Sequence, residues 1–221
     1  MSKKIYMDHD FPIEERIDDL LSRMTIEEKT LQIQQQVLAQ DINENNVSEI
    51  ETFNPLIGSV IAWADGAKKR NRLQRQAVED TRLGIPVIWG KHLTHGWKTY
   101  FPVPLAQACT FEPELVERIC RHAKFEAYHE GQDWCFSPVL DVCHDPRWGR
   151  CMESFGEDPY TAGIFGAASV KGFQGEDVST PGNLAACLKH FVAYSSCEGG
   201  RDYYYSDLST LALGNTICRL F

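Results

Sequence analysis

The sequence predicts an α/β chain: a helical leader followed by about four β/α steps. Three observations carry this. Four apolar runs, at 57–63, 85–89, 134–140 and 184–192, each have the length of a buried strand. Stretches with helical spacing separate them, and strands that alternate with helices pair in parallel through right-handed crossovers. No repeat or linker interrupts the series, so the 221 residues read as a single unit.

The leader opens with Ile13, Ile17, Leu20, Leu21 and Met24 on one helical face. Thr25-Ile26-Glu27-Glu28 then has the pattern of a capping box for a second helix, with Ile26, Leu31 and Ile33 on its apolar face, so 13–40 reads as a helix pair. Residues 41–55, with Asn45 and Asn46, read as an exposed connection. The first apolar run follows Pro55. Residues 65–82 form a helix whose basic first half is a solvated face, ended by Leu83-Gly84. Ile85 to Trp89 is the second strand. The loop KHLTHGWKTYFPVP after it is rich in histidine, aromatics and proline. Phe111 to Glu130 is a long helix with Pro113 in its first turn. Trp134 to Leu140 is the third strand, 159–173 a helix ending at Gly172, and Leu184 to Val192 the fourth strand.

A net charge of -9 argues against nucleic acid and anionic membrane surfaces, where a basic face is needed. No run of eighteen apolar residues exists to span a bilayer. The first residues lack the apolar stretch of a secretory signal, and the eight cysteines form no C-x-x-C pair. They read as reduced thiols, which places the protein in the cytoplasm.

The chain is organised around Pro138 to Tyr160. An apolar strand there ends in Asp141 and feeds a loop with Asp145, Arg147, Trp148 and Arg150, then an acid-rich turn with Glu153, Glu157 and Asp158. Arginine offers several planar donors and tryptophan an apolar face, a combination that suits a hydroxyl-rich ligand. Polar groups also follow the second strand (His92, His95, Trp97) and sit in the fourth (Lys189, His190). Singly, each has an ordinary structural explanation. In a β/α barrel, however, these strand ends share one mouth, where active sites lie. A lysine in an apolar strand also needs a partner to offset the cost of its burial.

The segments IPVIWG-x-H-L-T-HG, FPVPLAQACTFEPELVE, SPVLDVCHDPRWGRCMESFGEDPY, ACLKHFVAY and EGGRD resemble the N-terminal domain of glycoside hydrolase family 3, in order and spacing, over residues 13–208. The resemblance implies the first half of a (β/α)8 TIM-type barrel. It also implies an activity, retaining exo-hydrolysis of β-glucosides or β-xylosides in carbohydrate catabolism. By the same resemblance Arg150, Lys189 and His190 hold hydroxyls of the sugar beside the cleaved bond. Asp141 and Asp145 orient the loop and pair with its arginines, and Trp148 is a structural residue. The family usually has Asp at the position of His92, where it accepts hydrogen bonds from the sugar's hydroxyls, so the resemblance implies that His92 also binds the substrate, with a single acceptor and a different reach. The loop after KHF holds no histidine, which sets the chain apart from the N-acetylglucosaminidase branch.

Retaining hydrolysis needs a nucleophile and an acid/base. The family's nucleophilic Asp is expected beyond Phe221, so none of the residues here is expected to be catalytic, and no metal or cofactor is implied. Residues 209–221 depart from the family pattern, and reading them from the preceding third codon base permits L-R-E-Y-Y-L-P-A-F. A single-base frameshift near Ser209 to Leu211 is therefore expected. A half-barrel would expose a sheet edge and self-associate. The alternatives are a sugar-binding remnant without catalysis and an inert fragment.

Overall fold

The computed structural model describes residues 4–38, 53–62 and 67–214. Two compact units divide the chain at Trp89 and Gly90. The connection expected at 41–55, Trp63, and most of the tail after Leu208 lie largely or wholly outside the described residues.

In the first unit α1 runs Ile13–Arg23, with Glu14 and Glu15 in its first turn and Arg23 in its last, the charge order that suits the helix dipole. Its apolar residues are less covered than the pattern predicts: Ile13 is 66% exposed. α2 (Ile26–Gln32) starts at the expected capping box, where Thr25 Oγ1 accepts from Glu28 N at 3.2 Å and Glu28 Oε2 accepts from Thr25 N at 2.8 Å. The helix pair does not reach residue 40. The glutamine run turns instead into strand β1 (Gln35–Leu38), parallel to β2 (Ser59–Ala62) with Gln35 opposite Ser59. Glutamine favours helix locally, but here strand pairing outweighs propensity. α3 (Ala67–Glu79) buries Leu73 and Ala77. These join Leu38, Phe53, Ile57, Val60, Val87 and Trp89 in one core.

Strand β3 (Ile88–Lys91) starts three residues later than the sequence predicts. The Gln74 side chain fixes the approach to it: its Oε1 accepts from Val87 N at 3.1 Å and from Trp89 Nε1 at 3.2 Å.

The second unit carries the candidate site. Gly90 and Lys91 of β3 pair in parallel with β4 (Trp134–Cys135), and β4 pairs in parallel with β5 (Ala185–Ala186). Both later strands are shorter than their apolar runs. Pro138 has no N–H to give a ladder, and pairing resumes only as a single parallel bridge between Val139 and Lys189. The peptide bonds Ser137–Pro138, Lys189–His190 and Phe191–Val192 are cis. The described strands number five rather than four, because β1 was hidden in a helix-like sequence.

A short helix, α4 (Pro104–Ala108), lies in the loop after β3, and α5 (Pro113–His129) buries Val116, Ile119, Cys120, Ala123 and Ala127 at three- and four-residue spacing. α6 (Pro159–Gln174) begins at Asp158, whose carboxylate accepts from Thr161 N at 2.7 Å, and ends at Gly175 with φ of 63°. Gly172 is therefore not its terminus but a packing position. A Cβ there would lie 2.5 Å from the Cβ of Cys120, so the absent side chain is what lets α5 and α6 approach. α7 is a single turn, Thr210–Ala212. No helix among the described residues is long and apolar enough to cross a membrane.

Candidate functional site

Three loops meet in a cleft of about 430 Å³ lined by His92, Thr94, His95, Val103, Pro104, Arg150, Met152, Glu153 and Tyr203. The loop after β3 supplies the first five. It is pinned by Glu126 of α5, whose carboxylate accepts from the N–H groups of Lys98 and Thr99, each at 2.9 Å, and from Thr99 Oγ1 at 2.6 Å. Those bonds, led by the Thr99 hydroxyl, hold the Glu126 carboxyl down at about 2. His95 is steered by the carbonyl of Phe101, 2.9 Å from its Nδ1.

Asp141, 3% exposed, is the hub behind the cleft. Its Oδ2 accepts from His190 Nδ1 at 2.6 Å and from His190 N at 3.2 Å, while Oδ1 accepts from Ser195 N at 3.2 Å. His190 Nε2 lies 3.3 Å from Arg150 Nη1. A guanidinium can only donate, so Nε2 accepts and the ring proton sits on Nδ1 toward Asp141. Arg150 in turn grips Glu153 with Nε and Nη2, both at 2.8 Å. Burial draws the Glu153 carboxyl upward, but this two-point bond and the Arg150 charge outweigh it and leave the group below its ordinary value. The same bond, together with Tyr194, holds the Arg150 guanidinium above its ordinary value.

On the opposite side Lys189 Nζ lies 2.9 Å from His92 Nδ1. An ammonium has no acceptor, so His92 Nδ1 accepts and its Nε2–H faces outward. Burial, then the Lys189 charge, pushes His92 down to about 4, so the ring is neutral at pH 7. Burial, then the Arg150 charge, brings Lys189 down to about 8. Lys189 is thus protonated at neutral pH and loses its charge as pH rises through about 8. An unfolded lysine titrates near ~10.4, so the buried charge costs the folded state its full penalty below about 8, and that penalty fades as pH rises from there to ~10.4. His92→Asp places a carboxylate beside the ammonium and is expected to raise the Lys189 value by about 1–3 units. NMR titration of the lysine Cε resonance checks this, and a value still near 8 would show that burial and the Arg150 charge set it whatever stands at residue 92.

Not every residue singled out in the sequence reaches the cleft. His92, His95 and Arg150 line it, whereas Lys189 and His190 touch it through His92 and Arg150. Asp141 pairs with His190 rather than with an arginine, because the strand end points it inward while the arginines sit on the loop beyond. Asp145 does pair with Arg147, at 2.7 Å and with the Arg147 side chain 71% exposed, away from the cleft. That bond holds the Asp145 carboxyl down at about 2. Trp148 is 1% exposed in a core with Cys143 and Cys197, and its Nε1 donates to Asp202 at 2.9 Å. Its ring therefore offers no face to a ligand. Thr94, Val103, Pro104, Met152, Glu153 and Tyr203 also line the cleft, and sequence reasoning gave none of them a place in the site. The spacing of Glu153, three residues after Arg150 across a single 3-10 turn, could have revealed it. Nothing local marked Tyr203.

The lining side chains can donate hydrogen bonds from His92 and Arg150 and accept them at Glu153, which suits adjacent hydroxyls. Residues 14–217 match the description "Glycosyl hydrolase family 3 N terminal domain". The chain is 31% identical to the "Periplasmic beta-glucosidase" of Salmonella typhimurium over 97% of its own length and 28% of that protein's. It is 30% identical to the "Putative beta-xylosidase" of Formosa agariphila, over 95% and 30%. The crystal structure of the β-glucosidase from Listeria innocua superposes with a TM-score of 0.85 at 35% identity, covering 94% of this chain and 30% of that one. The chain thus spans less than a third of the length of these relatives. Its parallel sheet, its flanking helices and the match over most of its residues place it in glycosyl hydrolase family 3, in the TIM-barrel-like N-terminal domain.

Proposed function

We propose that this chain forms the sugar-holding wall of a retaining, exo-acting β-glycosidase of the glucosidase and xylosidase type. The observation that carries this reading is the convergence of His92, Arg150 and Glu153 on one cleft, backed by Lys189 and His190. We assign the substrate's hydroxyls to Arg150 and His92, which line the cleft, with Lys189 and His190 behind them as their supports and Asp141 as the anchor of His190. Retention requires two carboxyl groups about 5–5.5 Å apart. Glu153 is the carboxylate among the described cleft residues, and the fork of Arg150 already occupies it. A carboxylate so held is a poor nucleophile and a poor acid, which supports a nucleophile and acid/base drawn from elsewhere. On this reading the chain by itself binds a β-glucoside or β-xyloside without cleaving it.

Calorimetric titration of the full chain with methyl β-D-glucoside and methyl β-D-xyloside tests this. We expect saturable binding of at least one, lost in Arg150→Ala, and no release of nitrophenol from p-nitrophenyl β-D-glucoside. Absence of binding by both would leave the inert-fragment reading, and turnover would overturn the assignment of the carboxylates. The seven cysteines among the described residues, of eight in the chain, are free thiols, which supports a reducing, cytoplasmic compartment. Exposed Phe191, Leu211 and Tyr205 support self-association, expected as an early, broad peak in size exclusion.

A further inference from the structure

The charges around the cleft are matched on one side and not on the other. Arg150 and Glu153 are the charged members of its lining, and the two-point bond between them sets one against the other. Lys189 stands behind the lining on the His92 side, half-buried, with Nζ 2.9 Å from His92 Nδ1. That partner is a neutral ring, which satisfies one proton of the ammonium and leaves its charge unmatched. The nearby acids are engaged elsewhere, Glu153 by the fork of Arg150 and Asp141 by His190 and Ser195. Glu153, Cys187 and Asp141 pull Lys189 upward, but burial and the Arg150 charge outweigh them. The same cations, after burial, hold His92 down against the opposite pull of Glu153. The potential on this side of the cleft is therefore positive, and the outward Nε2–H of His92 is the donor through which a ligand meets it. An N–H backed by a cation gains more from an anionic acceptor than from a hydroxyl.

From this we infer that the cleft takes an acidic glycone, a β-glycoside whose sugar carries one carboxylate, as in a β-glucuronide, seated on His92 and Arg150 with the Lys189 charge behind. The inference rests on the sugar-holding reading above and adds the charge of the sugar held. One unmatched ammonium suits a monoanion, whereas a phosphate ester carries about two charges at neutral pH. A volume of about 430 Å³ falls in the range of sites that enclose a whole small ligand. The chain as a whole carries a net charge of -9 and repels anions, so a preference for the acidic sugar reports on the cleft itself.

The test titrates the full chain at neutral pH with methyl β-D-glucuronide and methyl β-D-glucoside and reads the ratio of their affinities by calorimetry. We expect the glucuronide to bind about tenfold more tightly. His92→Asp matches the ammonium with a carboxylate inside the protein, and it should invert the preference in favour of the glucoside. Lys189→Met keeps the apolar stem and removes the charge, and the ratio should fall towards one. The ratio is insensitive to a uniform loss of folded protein, and circular dichroism of each variant confirms folding. Equal affinities in the unaltered chain, or a tighter glucoside, would overturn the acidic glycone and leave the sugar-holding reading standing. A preference that survives both substitutions would overturn its assignment to Lys189. Failure of both sugars to bind would overturn the two readings together.

Discussion

Trp148→Ala is expected to destabilise the second unit by about 3–5 kcal/mol, the cost of truncating a fully enclosed large aromatic. The side chain is 1% exposed and packs with Cys143 and Cys197. Its ring also meets that of Tyr194 edge-on at 5.2 Å. Alanine would leave a void between the loop that carries Arg150 and the segment that carries Tyr194, both anchored independently and so slow to collapse. The hydrogen bond to Asp202 adds less, because Asp202 is exposed and can turn to water. Urea unfolding measures the effect as a lower midpoint at constant slope. Trp148→Phe keeps an aromatic in place and should cost about 1–2 kcal/mol. A loss below about 1 kcal/mol for the alanine variant would show that the pocket refills and that this residue is not the wedge beneath the loop.

Asp141→Asn is expected to lower stability by about 2–3 kcal/mol and glycoside affinity by about tenfold or more. The change preserves shape but leaves one acceptor oxygen where two now serve His190 N, His190 Nδ1 and Ser195 N. Turned one way, the amide N–H faces the Nδ1–H of His190, relieved only if that proton moves to Nε2 and confronts a donor of Arg150; turned the other, it faces Ser195 N–H and displaces the segment that follows His190. Both outcomes disturb the groups assigned to the sugar. Calorimetry and urea unfolding on the same variant separate two roles. Lost stability with unchanged affinity would make Asp141 a structural anchor only. Lost affinity beyond the fraction unfolded marks it as a positioning residue.

How far the sequence could be read follows from which forces act locally. The capping box at Thr25 and Glu28, Pro113 at the start of α5 and the apolar spacing of α5 are decided within a few residues, and they were legible. β1 was not, because Gln35 and Gln36 become strand only through partners more than twenty residues away in β2. Gly172 looked like a helix end because glycine usually ends helices, and only the neighbouring helix shows that it is a contact point. In the site, the family resemblance implied Arg150, Lys189 and His190 as a group. It could not show that Asp141 would choose His190 over an arginine, nor that Lys189 would lean on His92, since both depend on how strand ends are aimed. Tyr203 was invisible because its place on the cleft depends on a chain turn at positive φ.

The close fit at Gly90 links two distant positions in the gene. A Cβ at residue 90 would lie 1.7 Å from Trp134 Nε1 and 2.5 Å from Phe136 Cζ, and Phe136 is the ring against which His92 rests edge-on. Any side chain at 90 therefore requires a smaller aromatic at 134 or 136, and a smaller aromatic there loosens the seat of His92. Substitutions at 90, 134 and 136 are bound to be non-additive, each tolerated only in the company of another. Variation at His92 is thus constrained from beneath, by a glycine outside the lining of the cleft.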